Sequence, residues 1–329
     1  MRRRDIRTVE WMFTFSACWI ILCMTSSGVA ASDDAELPVG VQGVWDLSHA
    51  HSEHTPTRER ICINGLWRWQ PAEPNAQELP DGDWGHFKVP GCWPGITDYM
   101  QKDSHTVYAH RRWRDRDLGR LTAAWYEREI TIPASWTGRR IALNLEYLNS
   151  YAAIYLDGKR VGAIRFPGGE IDITDFCHPG RTHQLTLFVV AMPLEGVMLS
   201  YSDSANAREV KGSVARRGLC GDAFLVSTPT GPRIVDARIA TSVRKEELSL
   251  DLELEGIDPG HDHAVRVQII DGNQPVKQFT SRAFRAEDLR AGHITFREKW
   301  MPQKLWDIHT PRNTFVAQMS LLEDQGSEL

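Results

Sequence analysis

Signatures of chemistry are scarce in this sequence. It has no Cys-x-x-Cys pair, no Gly-rich phosphate loop, no Gly-x-Ser-x-Gly turn and no His-Glu-x-x-His. Zinc, redox, nucleotide and serine-hydrolase readings therefore lack the spacing they require. Basic residues are outnumbered, with 38 Lys and Arg against 43 Asp and Glu for a formal net charge of -5. A nucleic-acid partner, which calls for a basic face, is not expected. Cysteine is sparse: of six, Cys18 and Cys23 lie in the N-terminal segment, leaving Cys62, Cys92, Cys177 and Cys220. Four cysteines allow three pairings that spacing cannot rank, and unpaired buried thiols fit equally well. His49-x-His51-x-x-His54 has no Cys or carboxylate cluster beside it to complete a metal shell. Neither a metal nor another cofactor is expected.

What is present is ordinary globular material, 42% hydrophobic and 25% charged, long enough at 329 residues for two domains. Arg2, Arg3, Arg4 and Arg7 precede an apolar run from Trp11 to Met24, and Val29-Ala30-Ala31 supplies small residues for cleavage. This is the pattern of an export signal. A retained anchor is the competing reading, but Thr25-Ser-Ser-Gly28 dilutes the run, and a span wants about 20 strongly apolar residues. The expectation is an exported protein with no membrane contact once the signal is cleaved. Residues 32–59 read as a polar linker.

From Ile61 onward short extended pieces alternate with Gly, Pro, Asn and Asp. Trp67 and Trp69 share one side of a strand after Asn64-Gly65. Residues 151–156 alternate and end at Asp157-Gly158, the dipeptide of a two-residue hairpin. Beyond Thr228-Pro-Thr-Gly-Pro232, Leu248, Leu250, Leu252 and Leu254 alternate with Ser249, Asp251 and Glu253, which puts one face in and one out. Further candidate strands lie at 234–243, 264–270, 276–280, 294–300 and 314–322. The fold class is all-β, with two β-sandwiches.

Several segments, in order, resemble one family. Phe87-Lys-Val-Pro-Gly-Cys-Trp93, Trp125-Tyr-Glu-Arg-Glu-Ile-Thr-Ile-Pro133, Ser135-Trp-Thr-Gly-Arg-Arg-Ile141, the hairpin Tyr147–Phe176 and Arg217-Gly-Leu-Cys-Gly-Asp-Ala-Phe-Leu225 are similar to the jelly roll that opens glycoside hydrolase family 2. Lys304-Leu-Trp-Asp-Ile-His-Thr-Pro311 resembles an approach in that family's second domain. The family includes β-galactosidases, β-glucuronidases and β-mannosidases. The resemblance implies a sugar-binding jelly roll over 60–229 and an immunoglobulin-like sandwich over 230–329 that lacks its last strand. It also implies carbohydrate as the partner.

The family's chemistry belongs to a third domain, an α/β barrel. Retaining hydrolysis uses two carboxylates about 5 Å apart, and the family's acid/base glutamate follows an Asn. No Asn-Glu pair occurs in this sequence, so no catalytic residue is expected here. The anticipated function is that of a non-catalytic N-terminal portion of an exported, β-galactosidase-like enzyme, its barrel encoded downstream. A free-standing secreted carbohydrate-binding protein is the alternative. Candidate sugar contacts are loop residues: Trp93, Tyr99, Asp203, Asn206, Arg208, Glu209 and Lys211. The arginines at 111, 112, 114, 116 and 120 are expected to be solvated rather than anion-binding, because Asp103, Asp115 and Asp117 accompany them.

Overall fold

The computed structural model describes residues 34–93, 107–191, 196–201, 207–212, 216–324 and 326–329. The fold is all-β, and the helical pieces among these residues are five 3-10 turns of three residues each. Every strand pairing among the described residues is antiparallel.

Residues 52–228 carry two facing sheets. The larger runs in the order Lys159–Arg165, Tyr151–Leu156, Thr182–Val190, Ala123–Thr131, Gly65–Ala72, Gly85–Val89, Val107–Tyr108. The smaller runs Ser52–His54, Glu59–Cys62, Ala223–Thr228, Arg140–Leu145, Gly169–Asp172. Part of the segment expected as linker therefore carries structure: Asp46 caps the turn Leu47–His49, and Ser52–His54 extends the smaller sheet. The Asp157-Gly158 hairpin forms as expected, with φ of 48° and 77° at its two turn residues. Positive φ at both positions matches the twist of the flanking strands.

The period-2 pattern decides what fills this core. Trp67 and Trp69 point inward together, and with Phe87, Tyr126 and Trp136 they form its bulk. The abundant tryptophan is thus chiefly packing. Trp125 faces the opposite side of the larger sheet, where it meets Phe188 and Tyr155 in a smaller apolar cluster.

A second, separate core occupies residues 233–329. One sheet is Arg233–Ser242, Glu247–Glu255, His293–Lys299, and the other is Gln274–Thr280, His263–Asp271, Val316–Glu323, Ser327–Glu328. Leu248, Leu250, Leu252 and Leu254 are all buried in it, so the strict alternation read from sequence is realised.

Candidate functional site

Segments distant in sequence are knitted together at one edge of the first sandwich by main-chain hydrogen bonds. Gly91 N–H donates to Leu219 O at 2.8 Å and Trp93 N–H to Arg217 O at 2.9 Å. Cys220 and Gly221 both donate to Tyr147 O, at 3.0 and 2.9 Å. Gly218–Leu219 pairs with Leu148–Asn149, and the Asn149 side-chain amide donates to Arg216 O at 2.6 Å. Leu148 N–H reaches Pro167 O, and Phe166 N–H reaches Ser150 O, both at 2.7 Å. The segments 91–93, 147–150, 166–167 and 216–221 therefore form one rim. A rigid sandwich presenting such connecting segments is where ligands are commonly bound.

Glycine is required where the segments touch. Gly218 has φ of +96°, and a Cβ there would lie 2.7 Å from Trp93 Nε1 and 2.8 Å from the Tyr126 hydroxyl. Beneath the rim Trp93 is fully buried, and its indole N–H donates to the Tyr126 hydroxyl at 2.5 Å. Burial holds the Tyr126 phenol well above its ordinary pKa. Trp93, expected from sequence as a sugar-stacking residue, is a core strut with no free face. The reason is tertiary: its main-chain N–H is tied to Arg217 O and its indole N–H to the Tyr126 hydroxyl.

The other sequence candidates fall differently. Tyr99, Asp203 and Asn206 lie outside the described residues. Arg208, Glu209 and Lys211, expected in a loop, sit on the strand Ala207–Gly212, paired with Gly196–Tyr201. The apolar alternation of Val197, Leu199 and Tyr201 is the signal that marks this hairpin. Among the arginines of the charged loop, Arg112 pairs with Asp83, Arg114 with Asp115, Arg116 with Glu73 and Arg120 with Asp117.

Sequence reading missed the rim's exposed aromatic. Phe166 is 57% exposed and meets Tyr147 edge-on, with ring centroids 5.9 Å apart. Arg216 is exposed on the same rim. An exposed aromatic and an exposed cation on one rim suit a sugar carrying a carboxylate. Sequence reading also passed over Arg128, although the alternation of Ala124, Tyr126, Ile130 and Ile132 puts it on the inward face. Its guanidinium donates to Ile63 O at 2.9 Å, Asn64 O at 2.6 Å and Leu66 O at 2.5 Å, and it lies over Trp67. Burial lowers its pKa to about 10.

The carboxylates nearest the rim are engaged. Asp222 accepts from the Asn64 amide at 2.9 Å, and Glu146 pairs with Arg60. Concavities among the described residues that lie elsewhere include three of note. A hollow of about 240 Å³ beside Arg128 has Asp46 as its one acidic residue. An apolar one of about 330 Å³, against Trp300 and Phe315, has Glu247. A groove of about 560 Å³, with Arg58 and Arg233, has Glu328. None of the three offers the two facing carboxylates of a glycosidase. Among the described residues no cluster has the makings of a metal site, and no helix is long and apolar enough to cross a membrane.

Comparison with known proteins points to one group of glycoside hydrolases. The chain is 24% identical over 247 residues to a β-glucuronidase of Felis catus, a match covering 67% of this chain and 36% of that protein. It is 27% identical over 137 residues to one of Paenibacillus borealis, covering 41% of this chain and 22% of that protein. Among solved structures, a β-glucuronidase from an uncultured Clostridium superposes with a TM-score of 0.57 at 20% identity, over 85% of this chain and 45% of that one. A Ruminococcus gnavus β-glucuronidase in complex with D-glucuronic acid superposes with a TM-score of 0.56 at 16% identity, over 85% and 46%. No protein-family model matches the chain. The chain spans less than half the length of these relatives, and it shares the β-sandwich fold of the solved ones.

Proposed function

We propose that this chain is a non-catalytic, sugar-contacting portion of a β-glucuronidase-like enzyme of glycoside hydrolase family 2. In this reading the first sandwich is the family's jelly roll, the second its immunoglobulin-like domain, and residues 229–233 their junction. Residues 1–31 direct export, and the hydrolytic carboxylates reside in a barrel domain encoded downstream. The comparisons favour a glucuronide over the β-galactoside expected from the motifs alone. The observation that carries the reading is the rim: Phe166 and Tyr147 offer an aromatic surface, and Arg216 offers a charge that an uronic carboxylate would meet.

The isolated chain is expected to bind at roughly millimolar affinity, because a contact or two of this kind supplies only a few kcal/mol. Titrating isotope-labelled protein with methyl β-glucuronide, β-galactoside and β-mannoside, followed by NMR, tests this. The glucuronide should shift resonances of 147–150, 166–167 and 216–221 most, and Phe166→Leu should abolish those shifts. Aryl β-glycosides should not be turned over. Shifts confined to 233–329, or turnover abolished by changing a single Asp or Glu of this chain, would overturn the reading.

A further inference from the structure

We propose that Cys92 and Cys220 form a disulfide by exchange with an external disulfide, and that the bridge clamps the 89–93 turn onto the 216–221 segment. The two residues are 128 apart in sequence, yet their sulfurs lie 3.3 Å apart. Main-chain bonds hold the approach on both sides of Cys92, from Gly91 to Leu219 and from Trp93 to Arg217. Cys220 is itself fixed by its N–H to Tyr147 O. A bridge needs the sulfurs to close to about 2.05 Å, a movement of little over an ångström from where they lie. Both thiols are half-buried, so an external reagent can reach them.

Their chemistry is asymmetric. The sulfur–sulfur contact with Cys220 brings the Cys92 thiol down to about 7, with Arg216 assisting, while the same contact pushes Cys220 up. Cys92 is therefore the attacking thiolate at neutral pH. The other two cysteines lack both advantages. Burial raises the thiol of Cys62, pushes that of Cys177 up to about 11, and neither sulfur contacts another.

The steps balance as follows. The Cys92 thiolate attacks one sulfur of a disulfide RS–SR, breaking that bond, forming Cys92–S–SR and releasing RS⁻, which takes the proton of Cys220. The Cys220 thiolate then attacks Cys92 Sγ and displaces a second RS⁻, which is protonated from water. Two protein thiols are oxidised, and one external disulfide is reduced to two thiols.

The test uses the whole chain, purified reduced, treated with oxidised glutathione, alkylated and mapped as unreduced peptides. The expected product is a single cross-linked species joining the Cys92 and Cys220 peptides, two hydrogens lighter than their sum, with Cys62 and Cys177 alkylated. In Cys220→Ser, Cys92 should retain glutathione as a mixed disulfide, and in the unsubstituted chain the rate of bridge formation should be half-maximal near pH 7. Full alkylation of Cys92 and Cys220, or a bridge to Cys62 or Cys177, would overturn the pairing. A midpoint at the ordinary thiol value of about 8.5 would overturn Cys92 as the nucleophile. The central result comes from the unsubstituted chain, so it does not depend on a variant folding.

Discussion

Replacing Trp93 separates a core strut from a sugar platform, because the two roles answer to different assays. The side chain is fully buried and supplies the hydrogen bond to the Tyr126 hydroxyl. Trp93→Phe removes that donor and half of a bicyclic ring. A buried hydroxyl left short of a partner costs about 1–2 kcal/mol, and the unfilled volume costs about 1 kcal/mol more. The expected loss is therefore about 2–3 kcal/mol, against about 3–5 kcal/mol for Trp93→Ala. A domain with total stability of about 5–15 kcal/mol survives the first change more safely than the second, so Phe is the informative substitution. Hydrogen exchange should show lost protection in Ala123–Thr131 and Ala223–Thr228, strands of the core that holds Trp93, and none in Glu247–Glu255, which belongs to the other core. Glucuronide-induced NMR shifts at Phe166 should persist in the folded variant. Unchanged protection together with abolished ligand shifts would refute the strut argument and restore Trp93 as a contact residue.

Arg128→Met should cost about 2–4 kcal/mol in urea denaturation, because the carbonyls of Ile63, Asn64 and Leu66 lose a charged donor at a buried bend; an unchanged midpoint would contradict that role. Asp157 supplies a pH effect: burial raises its pKa, but the Gln184 N–H and His183 outweigh this and leave it below 3.8. Its stabilising contribution is thus present above that ordinary value and is lost as pH falls through the depressed one. Asp157→Asn tolerates the positive φ of the turn and should flatten this acid-side loss. Because the carboxylate is half exposed, the effect is under about 1 kcal/mol, and an unaltered acid-denaturation curve would remove Asp157 from the account.

How much could be read from the sequence depended on whether a residue sat inside a period. Trp67, Trp69 and the four leucines from Leu248 to Leu254 were assigned a face because their neighbours alternate, and the structure buries all of them. Asp157-Gly158 announced its turn through the backbone freedom of its two residues. Trp93 has no such neighbours: it follows a Pro-Gly turn, where nothing local says which way the indole points. Phe166 was equally silent, since one aromatic between Arg165 and Pro167 carries no pattern. The nearness of Cys92 to Cys220 depends on strands folding back across more than a hundred residues, and no local window contains that information. The hairpin Gly196–Tyr201 with Ala207–Gly212 was within reach, but its polar second strand hid behind Arg208, Glu209 and Lys211.

The rim is written almost entirely in peptide groups. Amides of Gly91, Trp93, Leu148, Phe166, Cys220 and Gly221 meet carbonyls of Leu219, Arg217, Pro167, Ser150 and Tyr147, and a peptide group is the same whatever side chain it bears. Most positions along these segments can therefore drift in identity without moving the edge they outline. The exceptions are places such as Gly218, where an added carbon would strike an indole and a phenol. An edge built this way can exchange its exposed side chains, an aromatic here or a cation there, while its contour stays fixed. Such an edge is a socket more durable than any one specificity fitted to it.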